Sequence, residues 1–341
     1  MTDEFLGNGY ALHMLREHVA QGRVRHAYLF TGPSGLGRRT LALYFAQSVN
    51  CTQPLAPGEP CGTCSSCLRF AKMQHPDLST VQAEQEGGTL KVDQIRELQH
   101  SLALAPYEAR YRIALLLRFE EANQNAQNAL LKTLEEPNRQ VLMLLTASSA
   151  EDLLPTIVSR CEVVRMSAVP LEELKTGLQT FYKIPAEEAA LLAHLSEGRP
   201  GLARRYYNER KLLDSRETVL GEHRHLLSSS RAERFAYADK VTKRTKDRDP
   251  REELRKILVI WLSYWRDILL TTAGAEAPIT NLDHKTEIEA LAAALNLQTV
   301  HKAAAAIQRT LGLLEINANT KLALEVLLLD LPRLDQVKIK E

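Results

Sequence analysis

Apolar and polar positions follow two rhythms in the first half of the chain. Leu12, Leu15 and Val19 recur at helical spacing within residues 5–22 and stop at Gly22, which predicts a lead-in helix. Ala27-Tyr28-Leu29-Phe30 is a short apolar run of strand type, and Leu41 to Ser48 is helical again. The alternation continues with a strand over Leu78 to Val81 and a helix with Asp93 near its start, where a carboxylate can satisfy exposed N–H groups. After it come the apolar run Arg112 to Arg118, a helix from Asn128 to the stop at Pro137, and a strand over Val141 to Thr146. Continuous apolar runs suit strands buried on both faces, so residues 1–166 predict an α/β domain built on a mostly parallel sheet.

Beyond residue 166 the rhythm is helical only. Apolar positions in Leu171 to Phe181 and Ala189 to Leu195 lead to the turn Gly198-Arg199-Pro200-Gly201 and a helix over Leu202 to Tyr207, a small helical domain at 167–208. In the remainder, 209–341, Leu254, Ile257, Leu258, Trp261, Tyr264, Trp265, Ile268 and Leu269 form one wide stripe, which core packing explains better than base stacking. Helices over Glu287 to Leu295, Val300 to Leu314 and Thr320 to Leu331 complete an all-helical bundle. Lys240 to Glu253, with Lys243, Arg244, Lys246, Asp247 and Arg248, mixes charge signs without apolar anchors and predicts a solvated loop more than a DNA contact.

Composition narrows the classes. With 341 residues the chain has room for two or three domains, each with its own core. No apolar run is long enough to span a bilayer, and Met1-Thr-Asp-Glu lacks the basic segment and apolar core of a secretion signal, so a cytoplasmic protein without a membrane partner is expected. A formal net charge of +1 argues against wrapping in nucleic acid through a single-sign surface.

Candidate chemistry begins after the first strand, at Gly32-Pro-Ser-Gly35-Leu-Gly37-Arg38-Arg39-Thr40. A strand, a glycine-rich turn and a helix are the setting of a phosphate-binding loop, where backbone N–H groups and a helix N-terminus converge. A working loop of pattern G-x-x-x-x-G-K-[ST] also needs a lysine on the outer phosphates and a hydroxyl on magnesium. Arg38 stands at the lysine position and Arg39, which cannot ligate a cation, at the hydroxyl position. Thr40 comes one residue late, turned by about 100° on a helix. A turn without ligand is therefore favoured over nucleotide binding. The strand ending at Leu117 and Arg118 likewise lacks the terminal acids that hold magnesium, and Glu120 and Glu121 are expected on a solvated helix start.

Four of the five cysteines lie between positions 51 and 67: Cys51, Cys61, Cys64 and Cys67. Two successive C-x-x-C steps and a fourth thiol upstream supply the set that a closed tetrahedral zinc site requires. A redox dithiol and an iron–sulfur cluster are the neighbouring alternatives, with a structural zinc preferred. The remaining Cys161 is expected to be a packing residue, and His26 a structural hydrogen-bonding group.

His26-Ala-Tyr-Leu-Phe before the glycine loop, the four-cysteine insertion, Asn128-Ala-Leu-Leu-Lys-Thr-Leu-Glu-Glu-Pro137 and Ser159-Arg160-Cys161, in this order, resemble the clamp-loader branch of the AAA+ proteins. The resemblance implies an AAA+ P-loop NTPase-type domain at 1–166 with a zinc insertion at 51–67, a lid domain at 167–208 and a collar domain at 209–341. It implies that Arg160 is an arginine finger acting in trans, and that the changed loop (Gly32, Gly35, Gly37, Arg38, Arg39) binds no ATP. Sensing arginines near the last lid helix have counterparts in Arg199, Arg204 and Arg205, read here as exposed or interface charges. The implied partners are gamma/tau-type ATPase subunits and a delta-type subunit, with a sliding clamp and primer–template DNA reached through the complex. Two other readings stand beside this one: a self-sufficient gamma/tau-like ATPase with a divergent loop, and a zinc-dependent redox or regulatory module.

Overall fold

The computed structural model describes residues 5–85, 87–244, 249–316 and 318–334. It forms two compact units, Met1–Ala189 with Gly198–Ala203, and Ala190–Glu197 with Arg204–Glu341, so that the helical stretch 167–208 is shared between them.

The first unit contains a five-stranded parallel sheet. Its strands are β1 (Ala27–Thr31), β2 (Leu78–Val81), β3 (Arg112–Leu116), β4 (Val141–Ala147) and β5 (Glu162–Arg165), in the order β2-β3-β4-β1-β5. Successive side chains of a strand point to opposite faces, and the two faces have separate cores. Leu29, Leu116, Met143 and Leu145 pack beneath α4 (Val92–Leu102), α5 (Gln124–Glu135) and α6 (Pro155–Val158). Tyr28, Phe30, Leu115 and Leu144 pack with Leu15 of α1 (Gly9–Ala20), Leu41 and Phe45 of α2 (Arg38–Asn50) and Phe70 of α3 (Ser65–Ala71). β5 was not anticipated. It is four residues long, and its polar ends, Glu162 and Arg165, break the apolar run that marks the other strands.

Next come α7 (Leu171–Tyr182), α8 (Ala186–Leu195) and α9 (Pro200–Asn208). The second unit contains α10 (Lys211–Ser228), α11 (Arg231–Thr242), α12 (Pro250–Thr272), α13 (Lys285–Ala294), α14 (Leu297–Glu315) and α15 (Thr320–Asp330). As the apolar stripe predicts, α12 is central: Trp261, Tyr264 and Trp265 are fully buried among Leu220, Ile288, Ile307 and Leu324. The solvated loop is shorter than expected. α11 runs to Thr242, and Asp249 caps α12 by accepting the Arg251 N–H at 3.0 Å, which places Glu252 and Glu253 in its first turn. Lys246, Asp247 and Arg248 lie outside the described residues. No helix among the described residues is long and apolar enough to cross a membrane.

Candidate functional site

The glycine loop sits where ligands of parallel α/β sheets gather, outside the carboxyl ends of the strands. Gly32 donates its N–H to the carbonyls of Ala147 and Ser148 at the end of β4 (3.3 and 3.2 Å), and Met166, just past β5, donates to Thr31 (2.8 Å). Gly37 is the N-cap of α2 with φ of 91°, and Gly35 also has φ of 91°, a region that glycine adopts without strain.

Arg38 is turned inward. Its side chain is 91% buried, with Nη1 3.9 Å from Glu120 Oε1, a long contact that leaves Nη1 without a hydrogen-bond acceptor. Burial pushes the Arg38 pKa down, against the attraction of Glu120. Arg39 and Thr40 face solvent.

The acids after β3 require a correction. Glu120 and Glu121 do lie on a short helical turn, Phe119–Glu121, but they are not solvated: their side chains are 20% and 9% exposed. Glu120 Oε1 accepts from the Ser148 N–H (3.1 Å) and Oγ–H (2.6 Å). Glu121 Oε1 accepts from the Gly87 N–H and from Arg118 Nε, each at 2.8 Å. Arg118 takes φ of 49° to make this turn, and its own N–H is held by Thr146 Oγ1 at 2.9 Å. Sequence reasoning missed these links because Ser148 and Gly87 are remote from the acids in the chain.

The start of α9 closes over the loop. Gly201 donates its N–H to the Gly35 carbonyl at 2.7 Å. A Cβ on Gly35 would stand 3.0 Å from Leu202 Cβ and 3.5 Å from Arg199 Cβ, and one on Gly201 2.9 Å from the Gly35 oxygen. Arg199 is thus half-buried beside the loop, whereas Arg204 and Arg205 are exposed.

The four cysteines converge. Their sulfurs all lie within 4.8 Å of one another, with Cys51 to Cys61 at 3.5 Å and Cys61 to Cys67 at 4.0 Å. Tetrahedral bonds to zinc would set sulfurs about 3.8 Å apart, so the donor set fits such an ion. Backbone N–H groups of Cys61, Cys64 and Cys67 point at the sulfurs of Cys51, Cys61 and Cys64 (3.3, 3.3 and 3.4 Å), an arrangement that favours thiolates. Donation from the Cys64 and Thr63 N–H groups brings Cys61 down to about 6, while burial raises Cys51 and Cys67. With every ligand position filled by protein, such a site holds structure and offers no place for substrate. Cys161 packs against the sheet core, and burial pushes its thiol up to about 12.

Arg160 lies two residues beyond α6 with its side chain 35% exposed. Nη2 donates to Glu135 Oε1 at 2.8 Å and Nη1 to the Thr156 carbonyl at 2.9 Å. His26 is partly withdrawn from solvent: burial lowers its pKa, against a hydrogen bond that the ring donates to the Leu134 backbone carbonyl.

The five-stranded parallel sheet and the glycine loop between β1 and α2 define an AAA+ P-loop-type domain. Residues 7–170 match the family model described as DNA polymerase III, delta subunit, and residues 246–333 match the model of the C-terminal part of that subunit. The chain belongs to the DNA polymerase III delta-subunit family. It is 37% identical over 188 residues to DNA polymerase III subunit delta prime of Pseudomonas aeruginosa, covering 54% of this chain and 56% of that one. To DNA polymerase III subunit tau of Escherichia coli it is 32% identical over 200 residues, 57% of this chain and 30% of that one. The match therefore spans about half, or less, of these relatives. A gamma subunit-related protein of Thermotoga maritima aligns with 94% of this chain and 97% of its own at a TM-score of 0.48 and 18% identity.

Proposed function

We propose that this chain is a non-hydrolysing, delta prime-type subunit of a bacterial polymerase III clamp loader, acting in DNA replication in the cytoplasm. Arg160 is then a finger that enters the ATP site of a neighbouring gamma/tau-type subunit. A delta-type subunit completes the assembly, and the sliding clamp and primer–template DNA are reached through it. Residues 1–166, 167–208 and 209–341 are its ATPase-type, lid and collar parts.

One contrast carries this reading: the arginine of the chain's own loop is buried against Glu120, whereas Arg160 stands at the surface. A guanidinium delivered from outside stabilises charge on a transferring phosphoryl group and supplies several orders of magnitude in rate in related chemistry. Arg38 cannot supply the lysine's point charge, and Arg39 leaves magnesium without its hydroxyl. A structural zinc held by Cys51, Cys61, Cys64 and Cys67 fastens the 51–67 insertion and takes no part in this chemistry.

The test is a reconstituted loader carrying Arg160→Ala. Clamp- and DNA-stimulated ATP hydrolysis is expected to fall roughly tenfold or more; unchanged turnover overturns the finger. The isolated chain is expected to give no saturable binding of labelled ATP with magnesium. Tight binding would instead support a self-sufficient ATPase.

A further inference from the structure

The arginine at position 160 is held by a splint on α5. Gln127 and Glu135 stand eight residues apart on this helix, about 2.2 turns, so their side chains are within about 80° of each other around its axis. Gln127, buried, anchors itself by donating to the Ala122 carbonyl (3.1 Å) and accepts the Leu154 N–H on Oε1 (3.0 Å). That bond ties down the residue before α6. Glu135, at the last turn, accepts from Arg160 Nη2 (2.8 Å), tying down the residue two positions after α6. Between the two ties Ile157 is fully buried in the core that also contains Leu130 and Leu134 of α5. The segment 154–160 is therefore fixed at its beginning, middle and end by one helix.

We infer that Glu135 is a positioning residue for Arg160, aiming its guanidinium at the partner's phosphate; this rests on the finger role proposed above. Two contacts, one to the Glu135 carboxylate and one to the Thr156 carbonyl, fix the guanidinium plane. Arginine has five N–H donors in a rigid fork, so these two leave others unused for an incoming oxyanion. A long side chain so held has less rotamer freedom to lose when the neighbour's nucleotide arrives. The chemistry recognised is a transferring terminal phosphoryl group of a nucleoside triphosphate held by another chain.

The experiment compares Glu135→Ala, Glu135→Gln and Gln127→Ala in the reconstituted loader, each alone and combined with Arg160→Ala. Glu135→Ala is expected to lower kcat for stimulated ATP hydrolysis about tenfold with little change in KM for ATP, because misaimed groups lose rate more than binding. Glu135→Gln keeps an acceptor oxygen and is expected to recover most of that loss. In the Arg160→Ala background, Glu135→Ala is expected to have no further effect, which a merely structural role would not produce. A rise in kcat for Glu135→Ala, an unchanged kcat, or an additive loss in the double variant overturns the inference. If Arg160→Ala alone leaves turnover intact, the finger reading itself has failed. Sedimentation of each loader establishes that the variant subunits are incorporated, and Glu135→Ser, too short to reach the guanidinium, serves where Glu135→Ala is not.

Discussion

Arg38 and Glu120 face each other at 3.9 Å, guanidinium to carboxylate, one opening the helix after the glycine loop and the other on the turn after β3. The pair is poorly made: Arg38 Nη1 and Glu120 Oε2 are both buried without a hydrogen-bond partner. Burying a charge costs free energy that a long contact returns only in part, and a lone charge left behind costs more than the pair. We therefore expect Glu120→Ala, which strands the more deeply buried Arg38 charge and removes the acceptor of Ser148, to destabilise the first unit by about 3 kcal/mol, and Arg38→Met, which leaves a Glu120 still held by Ser148, to cost less, about 1 kcal/mol. Hydrogen exchange of the β1 and β4 amides separates the two. An equal cost for both variants would mean that the pair behaves as a solvated one.

Gly35 and Gly201 carry the contact between the loop and α9. At Gly35 both constraints apply, a φ of 91° and a Cβ position 3.0 Å from Leu202 Cβ. Gly35→Ala is expected to cost about 2 kcal/mol from backbone strain together with displacement of Leu202. At Gly201 only the second applies, a Cβ 2.9 Å from the Gly35 oxygen, so Gly201→Ala should lengthen the 2.7 Å hydrogen bond and speed exchange of the Gly201 amide. An unaltered Gly201 exchange rate in Gly201→Ala would refute the close packing of α9 on the loop.

The legible parts of this molecule were those with local causes. Apolar runs mark β1, β3 and β4 because these strands are covered on both faces, and the α12 stripe marks the centre of the second unit. The four cysteines are legible because metal spacing is a local signal. Glu120 and Glu121 were misread as solvated because their partners, Ser148 and Gly87, come from other segments. α11 did have a local signal, the Ser230 and Glu233 capping box, in which each side chain bonds the other residue's N–H. β5 and the Gln127–Glu135 splint had none, since each is defined by what tertiary packing brings beside it.

Removal of metal should act locally. The cysteine insertion is joined to α1 by the Arg16–Glu59 ion pair at 3.2 Å and to α2 by Gln47, which donates to the Cys67 carbonyl at 2.8 Å. The sheet cores contain only Phe70 from α3. We expect about one zinc per chain by elemental analysis, and its chelation to speed hydrogen exchange in residues 51–67 while β1, β3 and β4 stay protected. Collapse of sheet protection on chelation would mean that the metal holds the whole unit. Absence of zinc together with a reversible Cys61–Cys64 disulfide would favour the redox alternative.

His223 makes the second unit acid-sensitive. It is fully buried against Trp261, and its Nε2 accepts the Trp265 indole N–H at 2.7 Å. Burial lowers its pKa to about 3, with Glu287 opposing and Arg234 and Arg224 adding to the shift. A depressed pKa means that the unfolded state binds the proton first. Stability is then fully present above the unfolded value of about 6.5 and is lost as pH falls from there toward 3. Between pH 7 and pH 5 this amounts to about 2 kcal/mol. His284 works the other way: its hydrogen bond to Glu287 raises its pKa, so its contribution is present below about 6.5 and lost as pH rises through the folded value. A variant that removes only the His223 titration isolates the first effect. His223→Gln keeps an acceptor for Trp265, and its stability relative to the parent should improve by about 2 kcal/mol between pH 7 and pH 5. Both tryptophans of the chain lie on α12, so fluorescence-monitored urea unfolding reports on this unit alone. A difference between parent and variant that does not change with pH would place the proton elsewhere.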